Sequence, residues 1–163
     1  MTLTNESDKA LELLFTKLQK SEEKYVVLVF GDHQPELSLA GDEDFEPGGR
    51  AWVVPYLIWA NYDISDFQKT ASKNVTSLNY LALDVLEAAG FKFNNYYSVI
   101  DGIRKELPSI NSTGTILGDG TVVRNGDQLP QGADKSRKLY AYLEYNMLFD
   151  GNKSLLFKNY VYN

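Results

Sequence analysis

The chain has 163 residues and a net charge of −6, a length that suits one compact domain burying about two-thirds of its unfolded surface. Its 16 Lys and Arg are scattered among 22 Asp and Glu without a dense basic patch, so no nucleic-acid partner is expected. The absence of cysteine excludes disulfide frameworks, thiolate zinc sites and cysteine nucleophiles.

The opening stretch, MTLTNESDKALELL, lacks a basic segment followed by an apolar core and does not read as a signal peptide. Residues 7–20 predict an amphipathic helix capped by Ser7, with Ala10, Leu11, Leu14, Phe15 and Leu18 at helical spacing. Residues 25–30 form a continuous β-branched and aromatic run, the pattern of a strand buried on both faces in a helix-covered, largely parallel sheet. Residues 34–50 hold Pro35, Pro47, three glycines and five carboxylates and predict a long surface loop. Residues 52–60 predict a second buried strand, in which Pro55 implies an edge position or a bulge.

Thr76 is the expected cap of a helix that runs to Ala89 and stops at Gly90. A further helix is expected over residues 96–107, with Pro108 just beyond it. The run ILGDGTVV places Gly-Asp-Gly between β-rich segments and predicts a hairpin. Residues 136–149 read as a last helix, and residues 155–162 as an extended strand. No apolar run approaches the length needed to cross a bilayer, so the chain as written is expected to be soluble. The fold class expected is α/β over a single domain, residues 1–163.

One segment carries chemistry: VVLVFGDHQP, residues 26–35. A strand ends at Phe30, Gly31 permits a sharp turn, and Asp32 and His33 emerge together where ligands gather in α/β sheets. An adjacent carboxylate and imidazole can share one divalent cation, although such a pair on a turn is also an ordinary surface or capping feature. His33 is the single histidine, so any imidazole chemistry falls to it. The nearby Asp42, Glu43, Asp44 and Glu46 read as a solvated acidic loop. Arg50 is a candidate contact for an anionic substrate, a solvated loop arginine being the simpler reading. Thr70, Thr76, Thr113, Thr115 and Thr121 occupy linker, cap and hairpin positions, none of which suggests a nucleophile. Asn61, Tyr62 and Asp63 follow a strand end and read as a turn that could sit near the site.

The GDH turn resembles the metal-binding turn of the sulfatase and lipoteichoic acid synthase-like phosphoglycerol transferase family, within the alkaline phosphatase superfamily. The segments SDKALELLFTKL, VPYLIWANYDI, TSLNYLALDVLEAAG, ELPSI and KLYAYLEYNMLFDG resemble the family in the same order, from about Ser7 to Gly151. The resemblance implies a partial alkaline-phosphatase-like sheet with flanking helices and a small C-terminal antiparallel β region. It also implies a single divalent metal, commonly manganese, with Asp32 and His33 as two of its ligands. The remaining ligands in the family, a glutamate on an early strand and a threonine that is also the nucleophile, lie far upstream of this turn. Only 31 residues precede Asp32, so the chain is expected to be the C-terminal portion of such a domain, without a catalytic residue of its own. Weak or absent metal binding and negligible turnover alone follow. Its expected partner is the missing N-terminal half of the catalytic domain, with self-association as a further possibility. The family is usually membrane-anchored with an extracellular catalytic domain, so any membrane link here runs through absent upstream segments. The residues that separate sulfate from phosphoglycerol substrates also lie in that half. A non-catalytic binding or self-associating module derived from such an enzyme is the other reading.

Overall fold

The computed structural model describes residues 3–34, 41, 45–70 and 75–149. Among them are five α-helices and five short strands in two antiparallel sheets, a mixed α/β architecture consistent with a partial alkaline-phosphatase-like fold. The expected class and the small C-terminal antiparallel region are both present. The tail strand expected over residues 155–162 falls outside the described residues.

Helix α1 spans Leu3–Gln19 and therefore begins before Ser7, which is an interior residue and not the cap. Glu6 in its first turn complements the positive end of the helix dipole. The chain then enters β1, Val26–Phe30, which pairs with β2, Tyr56–Ala60, in the register Val26↔Ala60 through Phe30↔Tyr56. The pairing is antiparallel, against the largely parallel sheet expected. Parallel neighbours need a crossover that carries the chain back to the starting end; here the connection simply returns along the same ladder. Pro55 stands just before β2, with no bulge, and its carbonyl accepts the Gly31 amide at 3.1 Å.

Alternation along the strands explains the apolar run without full burial. Leu57 and Trp59 share a face with Val27 and Val29, and Trp59 meets Phe15 of α1 with ring centroids 4.9 Å apart. Tyr56 and Ile58 share the other face with Leu28 and Phe30, toward helix α3, Leu81–Ala88. Helices thus lie on both faces, but short ones on a two-stranded ladder, so most of these side chains are only half-buried and Phe30 and Leu57 are exposed.

Asn61 fastens the far end of this hairpin to α1. Its carbonyl accepts the Tyr25 amide at 2.8 Å, and its amide donates to Leu18 O at 3.1 Å and Glu23 O at 2.8 Å. Helix α2, Ser65–Thr70, starts where Asp63 accepts the Ser65 amide at 2.8 Å, which holds that exposed carboxyl below its usual range. A 3₁₀ turn, Leu78–Tyr80, leads into α3. Thr76 does not cap it; its hydroxyl is buried without a hydrogen-bond partner among the described residues. Gly90, at φ +76°, ends α3 as expected.

Helix α4 spans Asn95–Glu106 and is capped by Asn94, whose side chain accepts the Tyr97 amide at 3.0 Å. Strands β3, Ser109–Ile110, β4, Gly114–Ile116, and β5, Val122–Arg124, form the second sheet, with the Gly118–Gly120 turn closed by Leu117 N–H to Thr121 O at 2.8 Å. Helix α5, Gln131–Phe149, begins before Ser136, because Pro130 supplies its first carbonyl acceptor to the Asp134 amide at 2.9 Å. The main core joins α3, α4 and α5 through Tyr80, Leu83, Ile100, Ile103 and Leu143, and a smaller cluster of Leu107, Leu117 and Ala133 lies under the second sheet.

A buried ionic group welds these parts. Arg104 of α4 donates to Asp84 of α3 at 2.6 Å and to Asp101 one turn back at 2.7 Å. Lys105 reaches Asp101 at 2.8 Å, and the phenol of Tyr56 hydrogen-bonds to Asp84, bringing β2 into the group.

Candidate metal centre

Gly31 extends the β1–β2 ladder one step beyond Phe30 through its bond to Pro55 O. The need for glycine there is space, not an unusual turn: a Cβ would lie 3.1 Å from Val54 Cβ. The ladder's end therefore aims residues 32–34 and residues 52–54 at each other, and the Gln34 side-chain amide donates to the Val53 carbonyl.

Asp32 and His33 converge on this frame. One carboxylate oxygen of Asp32 accepts the His33 backbone N–H at 2.9 Å, while the other lies 3.5 Å from His33 Nε2. The second ring nitrogen, Nδ1, is 3.1 Å from the Gln34 carbonyl. When Nδ1–H donates to that carbonyl, Nε2 carries a free lone pair beside a free carboxylate oxygen. Two donors that each bind one cation at about 2.1 Å stand roughly 3.0–3.4 Å apart for octahedral or tetrahedral geometry, so the separation fits a shared ion with a small adjustment. Both side chains are open to water, 77% exposed for His33 and 83% for Asp32. Among the described residues no third His, Cys, Asp or Glu joins them.

The pair sits on the rim of a cleft of about 700 Å³. Its lining comes from the loop at Trp52, Val53 and Val54 with Tyr56, from residues 75–79 and 109–111, and from Arg137, Tyr140, Ala141 and Glu144 of α5. Trp52 is fixed by Nε1–H donating to Phe45 O at 2.8 Å.

The other candidates separate from this point. Arg50 lies in an exposed turn between Gly48 and Ala51, which do line the cleft, but is not itself one of the lining residues. Glu46 is not a free loop acid; it pairs with Arg124 at 2.6 Å. Asp42, Glu43 and Asp44 are outside the described residues. Asn61, Tyr62 and Asp63 fall at the opposite end of the hairpin, because antiparallel pairing sets Ala60 against Val26 and not against Phe30. Thr113 donates to Asn111, and Thr115 is buried and donates to Ser109 O, which are structural roles. Arg137, Tyr140 and Glu144 were missed at the sequence level; their i, i+3, i+7 spacing marks one helix face, but what that face meets is a tertiary fact.

The family model described as Sulfatase matches residues 2–91, more than half of the chain. The chain belongs to the sulfatase family. The match runs from α1 through the hairpin and the Asp32–His33 turn to the end of α3, leaving α4, the second sheet and α5 beyond it. The sulfatase family generally uses a divalent metal. No curated protein and no solved structure matches the chain. Among the described residues no helix is long and apolar enough to cross a membrane.

Proposed function

We propose that this sulfatase-family chain contributes two ligands, Asp32 and His33, to a divalent metal site that acts on sulfate or phosphate esters. The observation that carries the reading is the 3.5 Å approach of His33 Nε2 to the free oxygen of Asp32, with Nδ1 turned to the Gln34 carbonyl. Asp32 offsets cation charge through a hard oxygen, and His33 ligates as a neutral imidazole. A divalent metal held by these residues together with further ligands would supply acidification of the attacking group and stabilisation of charge on the transferred one. The remaining ligands and the nucleophile come from a further part of the catalytic domain, which is this chain's natural partner. Within the family, a lipoteichoic acid synthase-like phosphoglycerol transferase using manganese at the cell envelope, membrane-anchored through that further part, is the subclass we favour on the segment resemblance. Alone, the chain binds metal weakly and does not turn over.

The test is titration of manganese into the wild type, Asp32→Asn and His33→Gln, followed calorimetrically. Weak binding that both substitutions abolish supports the site; binding indifferent to both refutes it. A second reading, a non-catalytic self-associating module, is favoured by one feature, the exposed Tyr142, Tyr145, Leu148 and Phe149 of α5. Sedimentation showing a monomer at high concentration rules it out.

A further inference from the structure

We propose that Asn125 is a self-modifying site, whose side-chain amide is lost to attack by the Gly126 backbone nitrogen, leaving an aspartyl or isoaspartyl residue in the turn after β5. The site is independent of the metal-binding turn. Of the chain's asparagines, Asn125 alone is followed by glycine, whose missing side chain leaves the attacking nitrogen uncrowded. The turn presents the two reacting groups free of other commitments. Asp127 N–H donates to Arg124 O at 3.1 Å, closing a β-turn whose third residue, Gly126, stands at φ +98°. Asn125 and Gly126 are both exposed, and a Cβ on Gly126 would meet nothing within 4 Å. Among the described residues the Gly126 N–H has no acceptor and the Asn125 side-chain oxygen no donor, while Nδ2 reaches Ser112 O only at 3.4 Å.

Similar groups elsewhere are tied up. Asp119 precedes Gly120, but the Gly120 N–H is donated to Leu117 O at 2.9 Å. The Asp119 carboxyl accepts the Thr121 amide at 2.9 Å, which holds it below its usual range, ionised and a poor electrophile. Asn111 accepts from the Thr113 N–H, the Thr113 hydroxyl and the Gly114 N–H, Asn94 caps α4, and Asn61 is held at both ends of its amide. The step at Asn125 needs water and base alone. The Gly126 nitrogen gives up its proton and bonds to Asn125 Cγ; the Cγ–Nδ2 bond breaks, and Nδ2 takes up a proton and leaves as ammonia. Water then opens the five-membered imide. Opening at Cγ gives aspartate; opening at the Asn125 main-chain carbonyl gives isoaspartate, which lengthens the turn by one methylene. Either product adds a negative charge beside Asp127.

The experiment holds the full, folded chain in mildly alkaline buffer made with heavy-oxygen water and follows it by peptide mapping and mass spectrometry. The peptide containing Asn125 is expected to exchange its amide nitrogen for one labelled oxygen before any other asparagine reacts, and faster as pH is raised. Isoaspartate at that position is read by enzymatic methylation of its free α-carboxylate. Gly126→Ala, which crowds the attacking nitrogen, is expected to slow the reaction at least about tenfold. Because that variant also strains the turn, Asn125→Gln serves beside it: the glycine stays, the ring required has six members, and position 125 is expected to remain unlabelled. The same chain unfolded in guanidinium gives the reference rate. A folded-state rate more than about tenfold below that reference overturns the site, since the native turn would then be blocking the attack. Another asparagine reacting first, or a rate unchanged in Gly126→Ala, overturns it too.

Discussion

Replacing Arg104 by methionine leaves two sequestered carboxylates facing an apolar group of similar length. Asp84 and Asp101 are 10% and 15% exposed at their side chains, and Arg104 is 19% exposed, so solvent screens the group poorly. Asp101 retains Lys105, but Asp84 is left with the Tyr56 phenol alone. Breaking a buried pair by deleting one partner costs about 3–5 kcal/mol. Because Asp101 keeps a cation, a loss of about 3 kcal/mol is expected, a large part of the 5–15 kcal/mol typical of a domain.

The loss should depend on pH in a definite direction. Burial pushes Asp84 up from the ordinary 3.8, outweighing the Arg104 guanidinium beside it. Its contribution is therefore present below about pH 3.8 and lost as pH rises through the raised value. Burial also works against the Asp101 anion, but the bonds from Lys105 and Arg104 outweigh it and bring its pKa down. Its contribution is present above 3.8 and lost as pH falls. Without Arg104, Asp84 rises further, and Asp101 loses one of its two cations. Both changes make the variant's deficit largest near neutrality and smaller in mild acid. Urea unfolding followed by circular dichroism at pH 7 and pH 4.5 measures it. A deficit under about 1 kcal/mol at pH 7, or one that does not shrink on acidification, refutes the view that an uncompensated buried carboxylate is what the arginine prevents. Adding Asp84→Leu to Arg104→Met should recover much of the loss.

Asn61→Ala removes the hydrogen bonds to Leu18 of α1, to Glu23 in the link and to Tyr25 at the start of the hairpin, and should cost about 2 kcal/mol in urea unfolding; Asn61→Asp, which keeps only the acceptor, should also destabilise. Tyr80 is wholly buried and its hydroxyl makes no well-formed hydrogen bond among the described residues, the Asn79 side chain approaching it only weakly, so Tyr80→Phe should raise stability by about 1 kcal/mol; a loss of that size shows the hydroxyl is bonded. Gly114→Ala sets a Cβ 2.2 Å from the Val123 carbonyl and 2.7 Å from Pro47 Cγ, so a loss of about 3 kcal/mol is expected, read as a lowered urea midpoint with unchanged slope.

What a linear pattern can encode was readable here. The helix Asn95–Glu106 is bounded by an asparagine cap and followed by Pro108, and the Gly118–Gly120 turn sits between β-branched runs, so both elements lie where local chemistry dictates. Strand direction was not readable, because an apolar run covered by helices reads alike in a parallel sheet and in a two-stranded antiparallel ladder. The Asp84–Arg104 contact joins residues 20 apart, yet signals existed: an acid inside the apolar run LALDVLEAA, and Asp101, Arg104 and Lys105 at i, i+3 and i+4. The Asp32–His33 pair was legible as a motif, while the ring orientation set by the Gln34 carbonyl was not, since it needs the loop geometry.

The construction of the turn also bears on what limits the proposed metal affinity. Asp32 and His33 are open to water, so no packed side chains hold them; their order comes from backbone and neighbour bonds. Gly31 is tied to Pro55, Gln34 to Val53, and the His33 amide to Asp32 itself, so the turn and the loop at Trp52 form one ladder end. Stiffening this turn would therefore add little affinity. Two ligands in high dielectric hold a cation weakly however well they are aimed, because each exposed pair contributes little against hydration. The missing term is ligand number, and a carboxylate brought in from another chain segment to close the site would raise affinity more than any substitution within the turn.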